Sequence, residues 1–468
     1  LIAQFMSAYA NKRTDEYGGG LEGFLRFPLE ILHRTRELVG PDYPILFRIS
    51  GDEAVPEGRT IGESVVVAKR LVEAGVDVLD VSVGVPESSH LTSAPPAMEP
   101  GFNAAAAATI KSAVSVPVIA VGRIVNSTVA EEIVDSGKAD LVAVGRASLA
   151  DPEFAAKALE GRDDAIVKCL SCNEGCIDML MLGTPPITCV QNPALGREAE
   201  YASAGAAKAK RVVVAGGGPG GLEAARTAAL WGHRVTLCEK RDCLGGQALL
   251  AAVPPTKEIW LEVVRSRIKD LERLGVEIRL NCELTPGMVN EMLPDVVIVA
   301  TGSVPLLPDI AGTDRGNVVT AHDVLSGAPV GVSVVVVGGG LVGCETADYL
   351  AQQGKAVTIV EMLRRTAQDV SPSARYFLRR RLRERNVTIL TSTPVKAITD
   401  AGVVVSSEGE ERTLESVDTV VLATGAKSVN VLAGVKHLAP EVYVVGDAAS
   451  PGKILQAVQQ AAEVARSL

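Results

Sequence analysis

The chain has no excess of basic charge: 46 Lys and Arg face 56 Asp and Glu, a formal net charge of −10. A nucleic-acid groove or an anionic membrane surface needs a basic field to recruit its partner, so neither is expected, and small-molecule chemistry becomes the default. No uninterrupted apolar run reaches the ~20 residues of a membrane-spanning helix. The opening LIAQFMSAYANKRTDEYGG also lacks the basic-then-apolar layout of a secretory signal. A cytoplasmic protein is therefore expected. With 468 residues, 47% hydrophobic and 22% charged, there is material for two or three domains and an ordinary core. An initiator Met is missing as well: LIAQF runs straight into a polar loop as though a strand had been cut, and a fragment is expected.

Cysteine is scarce, eight in all, yet four of them fall in KCLSCNEGCIDMLMLGTPPITCVQNP at 168–193. Cys169, Cys172, Cys176 and Cys189 form C-x2-C-x3-C-x12-C. Disulfides, a four-thiolate zinc site and an iron–sulfur cluster compete for this pattern. Disulfides fit poorly in a cytoplasmic protein. Zinc favours two separated C-x2-C knuckles, whereas here three cysteines crowd together and one lies apart, which favours a cluster while leaving zinc open.

On either side of this run the chain reads as α/β. ILFRIS (45–50), VDVLDVS (76–82), VPVIAVG (116–122) and ADLVAVG (139–145) are continuous β-branched runs, the mark of buried parallel strands. Helical stretches at 64–75 and 126–137 lie between them, the second with Asn126 and Ser127 as cap candidates and Gly137 as a stop. Such βα units fit half of a (β/α)8 barrel or a doubly wound sheet. After a small-residue, Lys-containing stretch at 201–210 that reads as a linker, two similar units follow, at 211–240 and 332–362. Each reads strand, glycine turn, helix, strand, acid.

Gly216, Gly218 and Gly221 form one G-x-G-x-x-G, and Gly338, Gly340 and Gly343 form another. The first Gly permits the tight turn, the second lets backbone approach a pyrophosphate, and the third lets helix and strand pack closely. Glu239 and Glu361 end the second strand of each unit, where a carboxylate would accept from a ribose hydroxyl. Ala-Thr-Gly recurs in VVIVATGS (296–303) and TVVLATGAK (419–427), and EVYVVGDAAS (441–450) ends a strand on Gly446-Asp447. From Arg211 onward the chain resembles the two-dinucleotide-binding-domain flavoproteins, which include the pyridine-nucleotide disulfide reductases. The resemblance implies an NAD domain inserted within an FAD domain. It assigns Gly216, Gly218, Gly221, Glu239, Gly245, Gly246, Gln247 and Asp447 to FAD, and Gly338, Gly340, Gly343 and Glu361 to the nicotinamide nucleotide. Glu361 favours NADH, while Arg364 and Arg365, read as lying on an exposed helix, leave NADPH open. Cys238 and Cys243 imitate a redox pair, but the family's pair follows the Leu244-Gly245-Gly246 turn, where QALLAAVPP has no cysteine. Cys238, Cys243, Cys282 and Cys344 are therefore read as structural or incidental thiols.

NKRTDEYGG (11–19), Arg48 in FRIS, VGRI (121–124), AVGRASLADPEF (143–154) and the cysteine run followed by Asn192-Pro193 resemble the old yellow enzyme relatives that carry an iron–sulfur cluster. That group includes 2,4-dienoyl-CoA reductase, 2-enoate reductase and trimethylamine dehydrogenase, and the likeness covers essentially the whole chain. It implies an FMN-binding barrel, a [4Fe–4S] cluster on the four cysteines, and FAD and NAD(P)H domains. Arg48 would lie by the flavin pyrimidine, and Gly122, Arg123, Gly145 and Arg146 would hold the FMN phosphate. His90, in the loop after the second strand, is the candidate acid/base, though its surroundings depart from those of the CoA enzyme. The family's barrel continues upstream of LIAQF with four more strands, so only the second half of a barrel is expected here.

The expected divisions are a partial TIM barrel at 1–160 and a cysteine segment with linker at 161–206, then FAD-binding at 207–305 and 428–468 around NAD(P)H-binding at 306–427. The expected activity is NADH-dependent reduction of an activated C=C bond in a small unsaturated molecule: a free enoate or enone ahead of a dienoyl-CoA. An amine dehydrogenase feeding a carrier protein and a non-catalytic electron-transfer remnant are the rivals. Self-association is left open.

Overall fold

The computed structural model describes all residues except 182, 184, 185, 203, 204 and 431–436. Contacts divide the chain into two compact units, Leu1–Asn173 and Glu174–Leu468.

The first unit is built on a parallel sheet whose strands, Leu46–Ser50, Val78–Ser82, Val118–Ala120 and Leu141–Val142, lie side by side in chain order. Helices Leu21–Val39, Ile61–Glu73, Ala104–Lys111 and Ser127–Asp135 supply its packing. The helix expected from residue 64 begins three residues earlier because Thr60 and Glu63 form a reciprocal capping box. Asn126 caps the later helix as expected, its side chain accepting from the Val129 N–H at 2.9 Å. Leu25, Ile49, Leu71, Leu79, Ile110 and Val118 are fully buried between sheet and helices. The opening residues form a short helix, Ile2–Phe5, rather than the strand end that LIAQF suggests. Phe5 there stacks on Phe27 with ring centroids 4.3 Å apart, and tertiary packing of this kind overrides the preference of a four-residue stretch.

The second unit contains two five-stranded parallel sheets. In the first, strand Arg211–Ala215 lies at the centre, with Val296–Val299 and Glu441–Val444 on one side and Arg234–Cys238 and Glu277–Arg279 on the other. In the second, Ser333–Val337 is central, with Thr419–Leu422 and Val318–Thr320 on one side and Ala356–Val360 and Thr388–Leu390 on the other. Every residue of Val296–Val299 and Thr419–Leu422 is buried, which accounts for their unbroken apolar runs. The second sheet lies in sequence between strands of the first, so the unit carries one parallel α/β fold within another. Part of the stretch read as a linker is packed against the first of these folds. The Tyr201 ring meets Trp231 edge-on at 5.6 Å, the Ala206 N–H donates to Trp231 O at 2.8 Å, and the Lys210 N–H donates to His233 Nδ1 at 3.1 Å. Ser203 and Ala204 of that stretch lie outside the described residues.

Candidate functional site

The first glycine turn joins strand Arg211–Ala215 to helix Pro219–Leu230. A Cβ on Gly221 would stand 1.8 Å from Gly216 O, and one on Gly216 would stand 2.4 Å from Ala300 O, so no side chain fits at either position. Gly218 caps the helix, and Gly246 approaches so near that a Cβ there would sit 2.9 Å from Gly218 Cα. A cavity of about 710 Å³ opens on this cradle and is lined by Gly216, Gly218, Glu239, Gly246, Gln247 and Asp447. Gly221 and Gly245 are not in its wall: Gly221 sits under the turn, and Gly245 ties the LGG loop down by donating to Gly217 O at 2.8 Å. Glu239 is buried and accepts from the Gly217 N–H at 2.6 Å and the Arg241 N–H at 2.8 Å. Asp447 accepts from Ser303 Oγ at 2.8 Å and the Gly452 N–H at 3.0 Å, while Gln247 Nε2 donates to Ser303 Oγ at 2.9 Å. These residues, scattered from 216 to 447, thus form one continuous wall.

The second turn repeats this geometry. A Cβ on Gly343 would lie 1.9 Å from Gly338 O, Gly340 caps helix Leu341–Gln352, and Glu361 accepts from the Gly339 N–H at 2.6 Å and the Leu363 N–H at 2.7 Å. One feature is new. The Leu341 N–H points at both carboxylate oxygens of Asp369, each at 3.0 Å, so an acidic side chain sits where the helix N-terminus would meet an anion. Arg364 and Arg365 lie in an exposed bend rather than on a helix, because the helix that follows starts only at Pro372, where proline suits the first turn.

Sequence reasoning missed several residues around the large cavity. Lys257 Nζ lies 2.5 Å from Glu345 Oε1 and 5.5 Å from the Trp260 ring centroid, and Lys453 lies 3.6 Å from Glu174. Burial pushes the carboxyl groups of Glu345 and Glu174 up, with their lysine partners opposing the shift. Glu345 brings the N-terminal stretch of the second helix into the wall of this cavity, together with Leu341 and Val342. A signal for it was present: Glu345 stands seven residues after Gly338, as Glu223 stands seven after Gly216.

The cysteine run crosses the division between the units: Cys169 and Cys172 belong to the first, Cys176 and Cys189 to the second. Neither unit alone offers more than two of these thiols, and among the described residues no group of three or more His, Cys, Asp and Glu is gathered as a metal site. The local bonding suits thiolates. The Ser171 N–H donates to Cys169 Sγ at 3.3 Å and the Gln191 N–H to Cys189 Sγ at 3.4 Å. The Thr188 N–H donates to Gly175 O at 2.6 Å, tying the residue before Cys189 to the residue before Cys176. The remaining cysteines behave differently. Cys238 is buried and its thiol is pushed up to about 12 by burial and by its Cys282 neighbour. Burial pushes Cys344 up to about 12 as well, whereas Cys243 is exposed.

In the first unit, Arg48 Nη1 lies 3.1 Å from Asp80 Oδ2, between residues paired in register on adjacent strands. Arg123, at φ +51°, donates to Met98 O and, at 3.2 Å, to Ser171 Oγ. Arg146 donates to Asn173 Oδ1 at 2.5 Å and to Ala94 O at 2.9 Å. Both arginines therefore brace the Ser171–Asn173 turn. Burial, followed by the nearby Arg146 charge, depresses the Arg123 guanidinium. The two like charges of Arg123 and Arg146 stand near each other, with the Glu99 carboxylate offsetting part of their effect on Arg123. Gly122 follows the third strand at φ +148°, and Gly145 caps the short helix Arg146–Ala150 with open space where its Cβ would be. His90 sits half-buried in a helical turn, Ser89–Thr92, and burial lowers its imidazole.

Residues 1–165 match the family model described as NADH:flavin oxidoreductase / NADH oxidase family, and residues 210–463 match that of pyridine nucleotide-disulphide oxidoreductase. An NADH oxidase of Thermoanaerobacter brockii is 44% identical over 99% of this chain and 73% of its own length. A cinnamate reductase of Clostridium sporogenes is 37% identical over 100% of this chain and 73% of its own. Among solved structures, 2-naphthoyl-CoA reductase in complex with 2-naphthoyl-CoA superposes with a TM-score of 0.95 at 35% identity, covering 100% of this chain and 72% of that one.

Proposed function

Since the chain belongs to the NADH:flavin oxidoreductase family in which that domain is joined to a pyridine nucleotide-disulphide oxidoreductase domain, we propose that it reduces an activated C=C bond of a small molecule at the expense of NAD(P)H. Flavin and NAD(P)H use accompany the family. FMN in the first unit and a [4Fe–4S] centre on Cys169, Cys172, Cys176 and Cys189 are part of the proposal. The net change is NAD(P)H and a proton consumed, NAD(P)+ released, and two hydrogens added across the double bond. When bound, the flavins accept and deliver hydride and the cluster passes single electrons between them.

The protein's own residues supply positions and charge. Gly216, Gly218 and Gly246 leave backbone room for an FAD pyrophosphate, and Asp447 and Gln247, both joined to Ser303, line the continuation of that cavity. Gly338, Gly340 and Gly343, with Glu361, form the matching seat for NADH. Arg123 and Arg146, two neighbouring cations, suit an FMN phosphate beside Gly122 and Gly145. Arg48 is assigned to the flavin pyrimidine, where a cation stabilises negative charge. His90 is the proposed acid that completes the reduction, and the substrate is proposed to be an aryl or alkyl enoate. The observation that carries this reading is the single cavity of about 710 Å³ shared by the first glycine turn and by Leu341, Val342 and Glu345 of the second helix. That shared wall would bring a flavin held by the first turn close to residues of the fold assigned to the nicotinamide.

The experiment is a measurement of iron, sulfide, zinc, FAD and FMN per chain after anaerobic preparation, followed by NADH consumption with cinnamate as the probe. About four irons and four sulfides, one FAD, and NADH consumption that depends on cinnamate are expected. Zinc without sulfide, or NADH oxidation indifferent to every enoate and enone tried, would overturn the proposal.

A further inference from the structure

Helix Leu261–Arg273 carries a charge that the reading above does not use. Arg267 is 2% exposed and Glu223 is fully buried, and their side chains meet at 2.7 Å. A buried ion pair is weak evidence for stability, since apolar residues of similar volume often do as well. Glu223 has other partners, Thr227 Oγ1 at 2.8 Å and Arg226 at 3.2 Å. The remaining donors of Arg267 show where it acts. Nη2 donates to Val190 O at 2.9 Å, and Nη1 donates to Gln191 Oε1 at 3.0 Å and to Val263 O at 3.1 Å. Val190 and Gln191 directly follow Cys189, and the Gln191 N–H is the group that donates to Cys189 Sγ at 3.4 Å. On the other side, Gln459 Nε2 donates to Cys189 O at 3.0 Å. Arg267 keeps its proton in any protein environment, so a permanent cation stands beside this thiol.

We propose that Arg267 is a positioning residue for Cys189. Locked to Glu223, it fixes Val190 and Gln191 so that the Gln191 N–H points at the sulfur, and it places a fixed positive charge next to that thiolate. Both effects raise the reduction potential of an iron–sulfur centre held by Cys189, because hydrogen bonds to the sulfur and local positive charge favour the more negative, reduced state. The inference rests on the cluster assignment above. It adds that the nucleotide-binding fold sets how readily the centre accepts an electron.

The test uses the full chain prepared anaerobically as wild type, Arg267→Gln, Arg267→Lys and Glu223→Gln. Iron and sulfide are counted, and the midpoint potential is taken from a potentiometric titration followed by electron paramagnetic resonance. Arg267→Gln is expected to keep its iron and to show a reduced-to-oxidised ratio about tenfold lower at fixed potential, ~59 mV for one electron. Arg267→Lys is expected to recover most of that shift, and Glu223→Gln, which leaves the cation unneutralised, to move the midpoint upward. A purely structural staple would lower cluster content or stability without moving the midpoint of the centres that remain. An unchanged midpoint in iron-loaded Arg267→Gln overturns the inference. Should that variant fail to fold, an unchanged midpoint in iron-loaded Glu223→Gln overturns it. Wild-type protein with zinc and no sulfide would instead overturn the cluster assignment itself, a result distinct from iron and sulfide present with immobile potentials.

Discussion

The two glycine-turn folds of the second unit are near copies at the level of backbone and diverge where their helices meet the rest of the chain. Each has a central strand feeding a turn in which the third glycine lies against the first, at 1.8 and 1.9 Å for a hypothetical Cβ, and each has a buried glutamate accepting from the turn's own N–H at 2.6 Å. Each helix also buries a glutamate at its matching position, Glu223 or Glu345. The partners then differ. Glu223 takes Arg267, which grips the residues after Cys189, whereas Glu345 takes Lys257 in the wall of the large cavity. The first turn opens on that cavity, while Asp369 occupies the N-terminus of the second helix. Local sterics thus specify the glycine turn, and a few non-local charges specify what each turn is connected to.

The largest test of this contrast is Lys257→Met. It strands a buried carboxylate and should cost about 3–5 kcal/mol in urea unfolding, with Lys257→Met/Glu345→Leu recovering most of the loss. If the single variant is as stable as wild type, Glu345 does not depend on its partner. Next come the turns themselves. Gly221→Ala and Gly343→Ala should each cost about 1–3 kcal/mol by overpacking, with opposite functional consequences on our assignment. Gly221→Ala should lose FAD from the purified protein; Gly343→Ala should keep FAD but resist bleaching by NADH, and normal bleaching there would break the assignment of the second turn.

A smaller effect is expected from Asp369→Ala. Removing a carboxylate from a helix N-terminus that must receive a pyrophosphate should tighten NADH binding about two- to fivefold, measured by the KM for flavin reduction. Weaker binding would show that Asp369 helps to seat the nucleotide. The smallest effect concerns pH. His233 occupies the place that Lys355 holds in the second fold, and it accepts a hydrogen bond from the Lys210 N–H through Nδ1. Burial, reinforced by the Lys210 charge, holds its imidazole below the ordinary 6.5. The unfolded chain then binds the extra proton more readily, so this contribution is complete above pH 6.5 and is lost as pH falls through the folded-state value. His233→Gln should flatten the fall in urea midpoint between about pH 7 and about pH 5, and an unchanged fall would assign it to other groups.

What was legible in the sequence follows the same division between local and non-local. The glycine seats, their acids Glu239 and Glu361 and the parallel strands are each determined within about 30 residues, so spacing reveals them. Asn126 as a cap was legible for the same reason, whereas the Thr60 and Glu63 box was passed over. The pairs Glu345 with Lys257 and Glu223 with Arg267 join residues far apart in sequence, and periodicity carries no information about them. A helix at Arg364 and Arg365 is not what forms, and Pro372, at the first position of the helix that does, is the signal for its start. Arg123 and Arg146 were read from the strands they follow, but their bonds to Ser171 and Asn173, which link them to the cysteine run, required the fold.

The central claim is that electrons from NADH pass through the first glycine fold to a metal centre on the four cysteines. An anaerobic NADH titration of the wild-type chain, followed at once by flavin absorbance and by electron paramagnetic resonance, tests it most directly. The account predicts that NADH bleaches FAD and develops the signal of a reduced iron–sulfur centre, with Cys189→Ser losing that signal while its flavin still bleaches. Flavin bleaching in wild-type protein without any iron–sulfur signal would contradict it.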